Sequence, residues 1–293
     1  MKVAIYGQTY QNDALDHVME FLKEAQQHGI DVFFEEDFLH FLLTIQVFDT
    51  YPTFSLTHGL DTSFDMFVSF GGDGTILRAI TYIKDLGIPI VGVNTGRLGF
   101  LSTFKKEEVR KVITEFLAGA YTLVDRSLLQ VKADLAEPDF GALNFALNEI
   151  AVSRKDTTSM ITVETYLNDE YLTSYWADGL IVATPTGSTG YSLSCGGPVI
   201  MPTAKSLILT PIAPHNLNAR PLVIDDQTVI RLKVSGREDH HLVSLDSRIA
   251  ALENGKEIII KKAGFTVKMI EYTSGSFLKT LRNKLLWGED RRN

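Results

Sequence analysis

Asp73 stands among glycines in the run Gly71-Gly72-Asp73-Gly74-Thr75, where a single carboxylate could serve chemistry on a phosphorylated ligand. The apolar run Phe64–Phe70 precedes it, and Ile76, Leu77, Ile80 and Ile83 follow at helical spacing. A strand, a glycine turn and a helix start are therefore expected, with Thr75 as a candidate N-cap. Glycines there allow positive φ and the close approach of a bulky ligand. The free amides and dipole of the helix's first turn form a natural seat for phosphate, to which Gly71, Gly72, Gly74 and Thr75 belong. A plain βα turn with a polar tip would use similar residues.

Two further stretches carry polar chemistry. Asp178–Pro198 sets Thr184, Thr186, Ser188, Thr189, Ser192 and Ser194 among Gly187, Gly190, Gly196 and Gly197. Hydroxyls and amides on such a loop suit the oxygens of phosphates and riboses, and Tyr191 adds an aromatic face. A polar surface loop is the alternative. Asn148-Glu149, at the start of the strand Ile150-Ala151-Val152, offers donors and acceptors side by side, as solvated strand ends also do. The tandem His240-His241 reads as a solvated strand edge, and no His/Cys cluster forms a dedicated metal site.

The elements that must position these residues follow a clear order. Val3–Tyr6 is expected as a strand ending at Gly7; Leu15, Val18, Met19, Leu22 and Ala25 mark a helix from Asp13 that Gly29 stops. Asp31–Glu36 reads as a second strand and Asp37 as the cap of a short helix; Ile88–Asn94 is another strand after the Asp73 helix. Strands alternating with helices imply a doubly wound parallel sheet. The turn GQTYQN after the first strand lacks the G-x-G-x-x-G dinucleotide spacing.

Beyond residue 102 one helix, Lys105–Leu117, gives way to strand-like runs at Leu128–Ala133, Asn148–Ser153, Met160–Leu167, Gly179–Ala183, Leu207–Thr210, Val229–Val234 and Ile258–Ile260. Asn168-Asp169 and Asn254-Gly255 are expected hairpin turns. Ser276–Leu286 is an amphipathic helix expected to pack back on the first domain, with Gly288–Asn293 as a frayed tail. The fold expected is thus an α/β doubly wound domain, 1–101 plus about 271–293, and a β-rich, sandwich-like domain, 102–270.

At 293 residues, 45% hydrophobic and 22% charged, the composition is that of a globular protein with an ample core. A net charge of −8 argues against general nucleic-acid or anionic-membrane binding. Cys195 is the only cysteine, which fits a reducing compartment; no leader is evident at MKVAIYGQ and no run approaches the length of a membrane span, so a cytoplasmic location is expected.

Taken together, Gly71–Thr75, Asn94-Thr95-Gly96-Arg97-Leu98-Gly99-Phe100-Leu101, Asn148-Glu149, Asp178–Pro198 and Pro211–Val223 resemble the NAD kinases in order and spacing across the whole chain. GGDGT is shared with diacylglycerol, sphingosine and phosphofructokinase-type enzymes; TPTGSTGYSLSCGGP is the discriminating segment. The resemblance implies phosphoryl transfer from ATP to the 2′-hydroxyl of the adenosine ribose of NAD, giving NADP, with Asp73 as the catalytic carboxylate. It also implies a divalent cation, Mg²⁺, carried mainly by nucleotide oxygens, and a homodimer or homotetramer. By the same resemblance Gly74 lies beside Asp73 at the nucleotide and Phe100 near the adenine, while Asn148 and Glu149 hold the adenosine ribose. The resemblance also implies that Asp178 contacts the nicotinamide-side half of NAD, from its own or a neighbouring subunit. Thr189, Gly190, Tyr191, Ser192, Leu193 and Ser194 line the adenosine, and Arg78 reaches toward a pyrophosphate.

Three departures from the family pattern stand out. Asp246-Ser247-Arg248 replaces Asp-Gly-Gln, Gly190 stands where alanine is frequent and is expected to relax close packing, and Arg97 replaces a frequent histidine without an assigned role. A lipid kinase of the same plan and a non-catalytic NADP sensor are the rival functions; the acidic charge, the hydroxyl-rich loop and the intact GGDGT weigh against them.

Overall fold

Strand and helix alternate through the first third of the chain because its apolar residues switch between continuous runs and helical spacing. The computed structural model describes residues 1–8, 14–45, 49–96, 99–102, 104–105, 108–133, 140–156, 159–272 and 276–286. The chain divides into two compact units, Met1–Asp125 with Val267–Asn293, and Arg126–Thr266. The first unit therefore continues past residue 101 to Asp125. The helix Val109–Leu117 buries Val109, Val112 and Ile113 in the same core as Val18, Phe21, Val68 and Val93.

The first unit contains β1 (Lys2–Gly7), α1 (Ala14–Gln27), β2 (Asp31–Glu35), α2 (Glu36–Ile45), β3 (Thr53–Phe54), β4 (Met66–Phe70), α3 (Asp73–Ile83), β5 (Ile90–Asn94), β6 (Phe104–Lys105) and α4 (Val109–Leu117). Its strands run parallel in the order β3-β2-β1-β4-β5, the doubly wound arrangement expected. Glu35, rather than Asp37, caps α2 by accepting the Phe38 N–H at 2.9 Å. All five residues of β4 and all five of β5 are buried, as strands covered on both faces must be. Ile76, Ile80 and Ile83 of α3 are buried, and Gly92 in β5 lets this helix come close, since a Cβ there would lie 2.4 Å from Ile76 Cδ1.

The chain enters the second unit within β7 (Tyr121–Ala133) and leaves it within β18 (Glu257–Tyr272). Between them come β8 (Phe145–Ala146), β9 (Glu149–Arg154), β10 (Ile161–Leu167), β11 (Glu170–Ala177), β12 (Gly179–Ala183), α5 (Tyr191–Ser194), β13 (Ser206–Ile212), β14 (Leu222–Asp225), β15 (Ile230–Ser235), β16 (His240–Leu245) and β17 (Arg248–Glu253). One antiparallel sheet has the order β14-β13-β12-β9-β16-β17; β11, β10, β15 and the first part of β18 pair in another. The inward faces share one core, with Ile150, Val152, Leu180 and Val243 from the first and Val163, Ile230, Leu232 and Ile258 from the second. That is the sandwich plan. The closing helix α6 (Phe277–Leu285) belongs to the first unit, with Ser276 Oγ accepting the Lys279 N–H at 3.1 Å as its cap.

One expected turn is as predicted, while a second turn and one histidine differ from expectation. Asn168-Asp169 does close a hairpin, both residues having positive φ, 49° and 67°. Asn254-Gly255 instead joins β17 to β18, which pair in different sheets, so its turn chemistry serves a crossing. The hairpin in that region is β16–β17, closed by Asp246-Ser247 with Asp246 at φ 52°. His241 is fully buried because β16 is an inner strand between β9 and β17; its Nδ1 pairs with Asn254 Oδ1 at 2.9 Å. The frayed tail expected at Gly288–Asn293, Asp13 and most of the GQTYQN turn lie outside the described residues.

Gly179 tests the packing of the second unit, since a Cβ there would lie 2.3 Å from the Val152 carbonyl oxygen of the neighbouring strand. Backbone cannot yield as a side chain does, so Gly179→Ala is expected to destabilise this unit by about 1–3 kcal/mol. A denaturation midpoint equal to that of the unchanged protein would contradict this packing.

Candidate functional site

In the first unit the site is built around the end of β4. The glycine turn lies at the carboxyl edge of the sheet next to β1, where strand order reverses and open α/β sheets bind ligands. Helix α3 starts at Asp73 with Gly72 as its N-cap, so Thr75 lies inside the helix and does not cap it. Its hydroxyl is buried and without a partner. Gly71 has φ 149°, and a Cβ on it would lie 2.1 Å from Thr75 Oγ1.

The Asp73 carboxylate gathers three consecutive backbone amides. Oδ2 accepts from Phe100 N–H at 2.8 Å, and Oδ1 accepts from Leu101 and Ser102 N–H, each at 3.0 Å. Gly99 makes this possible, because a Cβ there would fall 1.7 Å from Oδ1. Ser102 Oγ closes the arrangement by donating to the Gly71 carbonyl at 2.8 Å. A carboxylate offers roughly four acceptor positions, so Oδ2 keeps one for a ligand hydroxyl. Gly74 and Arg78 are exposed. The Phe100 ring packs 6.2 Å from Phe277 and 5.5 Å from Lys284 Nζ, both on α6. Arg97 and Leu98 lie outside the described residues.

In the second unit another aspartate repeats the device. Asp246 Oδ2 accepts from Leu147 N–H at 2.9 Å, while Oδ1 accepts from Asn148 at 2.8 Å and Glu149 at 3.2 Å. Thr184 secures the other side, its Oγ1 donating to the Leu147 carbonyl at 2.6 Å and its N–H to the Asn148 carbonyl at 2.9 Å. With the backbone so occupied, the side chains are left over: Asn148 Oδ1 and Glu149 Oε2 are buried and have no hydrogen-bond partner. Burial, and then the nearby Asp246 carboxylate, push the Glu149 pKa up to about 8, against the N–H of Tyr191. Glu149 is accordingly protonated at neutral pH. Burial also raises Asp246, opposed by its three amides and by Arg248.

The hydroxyl-rich stretch is more ordered than a loop. After β12 it forms a turn of 3₁₀ helix at Thr186–Thr189 and then α5. Gly187 packs on Asn148, whose carbonyl oxygen would lie 2.1 Å from an added Cβ. A Cβ on Gly190 would sit 3.0 Å from Glu149 Oε2, so glycine leaves that carboxyl room. Ser188 bonds to Ile200 and Ser192 to Thr210 Oγ1 at 2.8 Å, which makes both side chains internal fastenings. Thr189 Oγ1 donates to the Thr186 carbonyl at 3.3 Å. Tyr191 and Ser194 are exposed and Leu193 is half-buried.

Asp178 is close enough to the cluster for its charge to act on Tyr191. It pairs with Arg154 at 3.0 Å and borders a cavity of about 420 Å³ with Trp176, His215 and Arg237. The second unit thus brings Asn148, Glu149, Gly190 and Tyr191 together, while the first gathers Asp73, Phe100 and the glycine turn. Thr184 was read as a ligand hydroxyl and instead fastens the backbone. Asp246, noted only as part of a departure from the family pattern, and the amides of Leu101 and Ser102 were not singled out from sequence as site residues. The one signal was an aspartate followed by an exposed turn residue, which marks a hairpin without revealing its distant partners.

A doubly wound unit with an aspartate in its glycine turn, joined to a β-sandwich unit with buried unpaired polar atoms, defines a two-domain nucleotide-binding protein. The ATP-NAD kinase N-terminal domain model matches residues 3–121 and the ATP-NAD kinase C-terminal domain model residues 147–272. The chain is 58% identical to the NAD kinase of Christiangramia forsetii and 56% to that of Flavobacterium psychrophilum, each over the full length of both chains. Its structure is similar to yeast NADH kinase complexed with NADH, at TM-score 0.87 and 25% identity, covering 100% of this chain and 89% of that one. An NAD kinase from Archaeoglobus fulgidus in complex with ATP gives TM-score 0.73 and 27% identity, covering 98% and 99%. The chain belongs to the NAD kinase family.

The Glu149 proton has a consequence for stability. The folded group releases it near 8, against a usual value of 4.5. Between those values the folded chain holds a proton that the unfolded chain has lost, so this contribution is full at low pH and disappears as pH rises through about 8. Glu149→Gln is expected to flatten the fall in stability over that window, read from denaturation midpoints at several pH values. An unchanged slope would contradict the assignment.

Proposed function

We propose that this chain transfers the γ-phosphoryl group of ATP to the 2′-hydroxyl of the adenosine ribose of NAD, giving NADP and ADP. The observation that carries this reading is the pair of buried, unpartnered atoms Asn148 Oδ1 and Glu149 Oε2. Buried polar atoms without partners are costly, and a ribose supplies the hydroxyls that would satisfy them. A protonated Glu149 can donate as well as accept, and it adds no charge to repel the dinucleotide's pyrophosphate. Tyr191, exposed beside it, offers a face to the adenosine, with Thr189, Gly190, Ser192, Leu193 and Ser194 forming the backbone around it.

Asp73 is the proposed catalytic carboxylate. Its three amides fix its direction, and the remaining acceptor position of Oδ2 orients the hydroxyl and takes its proton as the O2′–P bond forms and the bond to ADP breaks. Held by three amides, Asp73 acts on the hydroxyl chiefly by orientation. A divalent cation, Mg²⁺, would accompany ATP and would supply neutralisation of its phosphate charge. The turn Gly71–Thr75 and Arg78 face the phosphates. The cavity beside Asp178, with the Trp176 indole on its wall, suits the flat nicotinamide half.

The location proposed is the cytoplasm, supported by the single cysteine. A homodimer or homotetramer through the β-rich unit is supported by Ile249 and Tyr171, which are 65% and 55% exposed on β17 and β11.

The test pairs substrate and mutant. Labelled ATP supplied with NAD and diacylglycerol should label NAD; label in the lipid alone would overturn the reading. Asp73→Asn should lower kcat by about 10²–10⁴ while NAD affinity changes only a few-fold. Equal turnover in that mutant would remove Asp73 from catalysis.

A further inference from the structure

Arg248 is a half-buried cation on β17, and its contacts are unusual for a strand residue next to a turn. Nη1 donates to the Leu143 carbonyl and Nη2 to the Phe145 carbonyl, and the guanidinium lies 5.5 Å from the centre of the Phe145 ring. Both carbonyls belong to the segment that leads into Asn148-Glu149. The turn that carries Arg248 also carries Asp246, whose carboxylate holds the amides of Leu147, Asn148 and Glu149, and whose own N–H donates to the Glu149 carbonyl at 3.0 Å. Residues 143–149 are therefore clasped twice by one hairpin. The guanidinium takes the upstream carbonyls and the carboxylate takes the downstream amides.

We propose that Arg248 is a positioning residue of the NAD site: by locking the β16–β17 turn onto the segment 143–145, it holds Asp246 at the amides that aim Asn148 and Glu149 at the ribose. It touches neither ligand nor reacting atoms. The planar fork of arginine matches two carbonyls two residues apart, which a glutamine amide or a lysine ammonium cannot span together. Asp246 sits at φ 52°, which aspartate tolerates better than most residues, and the clasp ties that turn to the segment it serves. The proposal rests on the assignment of Asn148-Glu149 to the NAD ribose.

Binding tests it directly. Calorimetric dissociation constants for NAD and for ATP are measured on the full chain with Arg248→Gln and Arg248→Lys, alongside amide hydrogen exchange at Leu147, Asn148 and Glu149. Arg248→Gln should weaken NAD about tenfold or more, leave ATP within about twofold, and speed exchange at those three amides. Arg248→Lys, which keeps the charge and one carbonyl bond, should recover part of each loss and serves if the glutamine variant does not fold. NAD affinity and amide exchange unchanged in both variants, or NAD and ATP weakened alike, would overturn the proposal. Wild-type protein that binds NAD but forms no NADP would overturn the kinase reading instead, leaving the ratio of NAD to ATP effects to decide the role of Arg248.

Discussion

A carboxylate that accepts three consecutive backbone amides recurs in both units, and the site depends on it. Asp73 holds Phe100, Leu101 and Ser102; Asp246 holds Leu147, Asn148 and Glu149. Amides in a turn or at a strand start have no ladder partner of their own, and leaving them buried and unpaired would cost about 1–3 kcal/mol each. One carboxyl side chain satisfies three of them at once. The backbone is then fixed independently of any ligand, and what remains free is chemistry: an acceptor position on Asp73 Oδ2, an amide oxygen on Asn148 and a carboxyl oxygen on Glu149.

Glycines make these approaches possible, chiefly by lacking a Cβ. Gly99 and Gly187 lie where any side chain would collide, with Asp73 Oδ1 and the Asn148 carbonyl respectively, and neither has positive φ. Gly190 has a milder version of the same role beside Glu149 Oε2. The glycine-rich runs therefore serve close packing around the two carboxyls.

Much of this was legible in the sequence where the cause is local. The alternation of strands and helices around Asp73, the start of β12 at Gly179 and the Asn168-Asp169 hairpin follow from short-range pattern. The extension of the first unit to Asp125 was not legible, because α4 joins it through Val109, Val112 and Ile113, which look like any apolar helical face. Nor could the burial of His241 be read, since an inner strand and an edge strand share one alternation until their neighbours are known. The role of Asp246 is the clearest case. Its partners lie 97 to 99 positions earlier in the chain. A turn aspartate shows its own geometry in sequence and nothing of what its carboxylate will reach.

The reading of these buried atoms as a ribose site makes a specific claim about where the new phosphate goes. Two-dimensional phosphorus–proton NMR of the product formed from NAD and ATP tests it most directly. The account requires one product whose new phosphorus couples to H2′ of the adenosine ribose. Coupling to a proton of the nicotinamide ribose, or to H3′ of the adenosine, would contradict it.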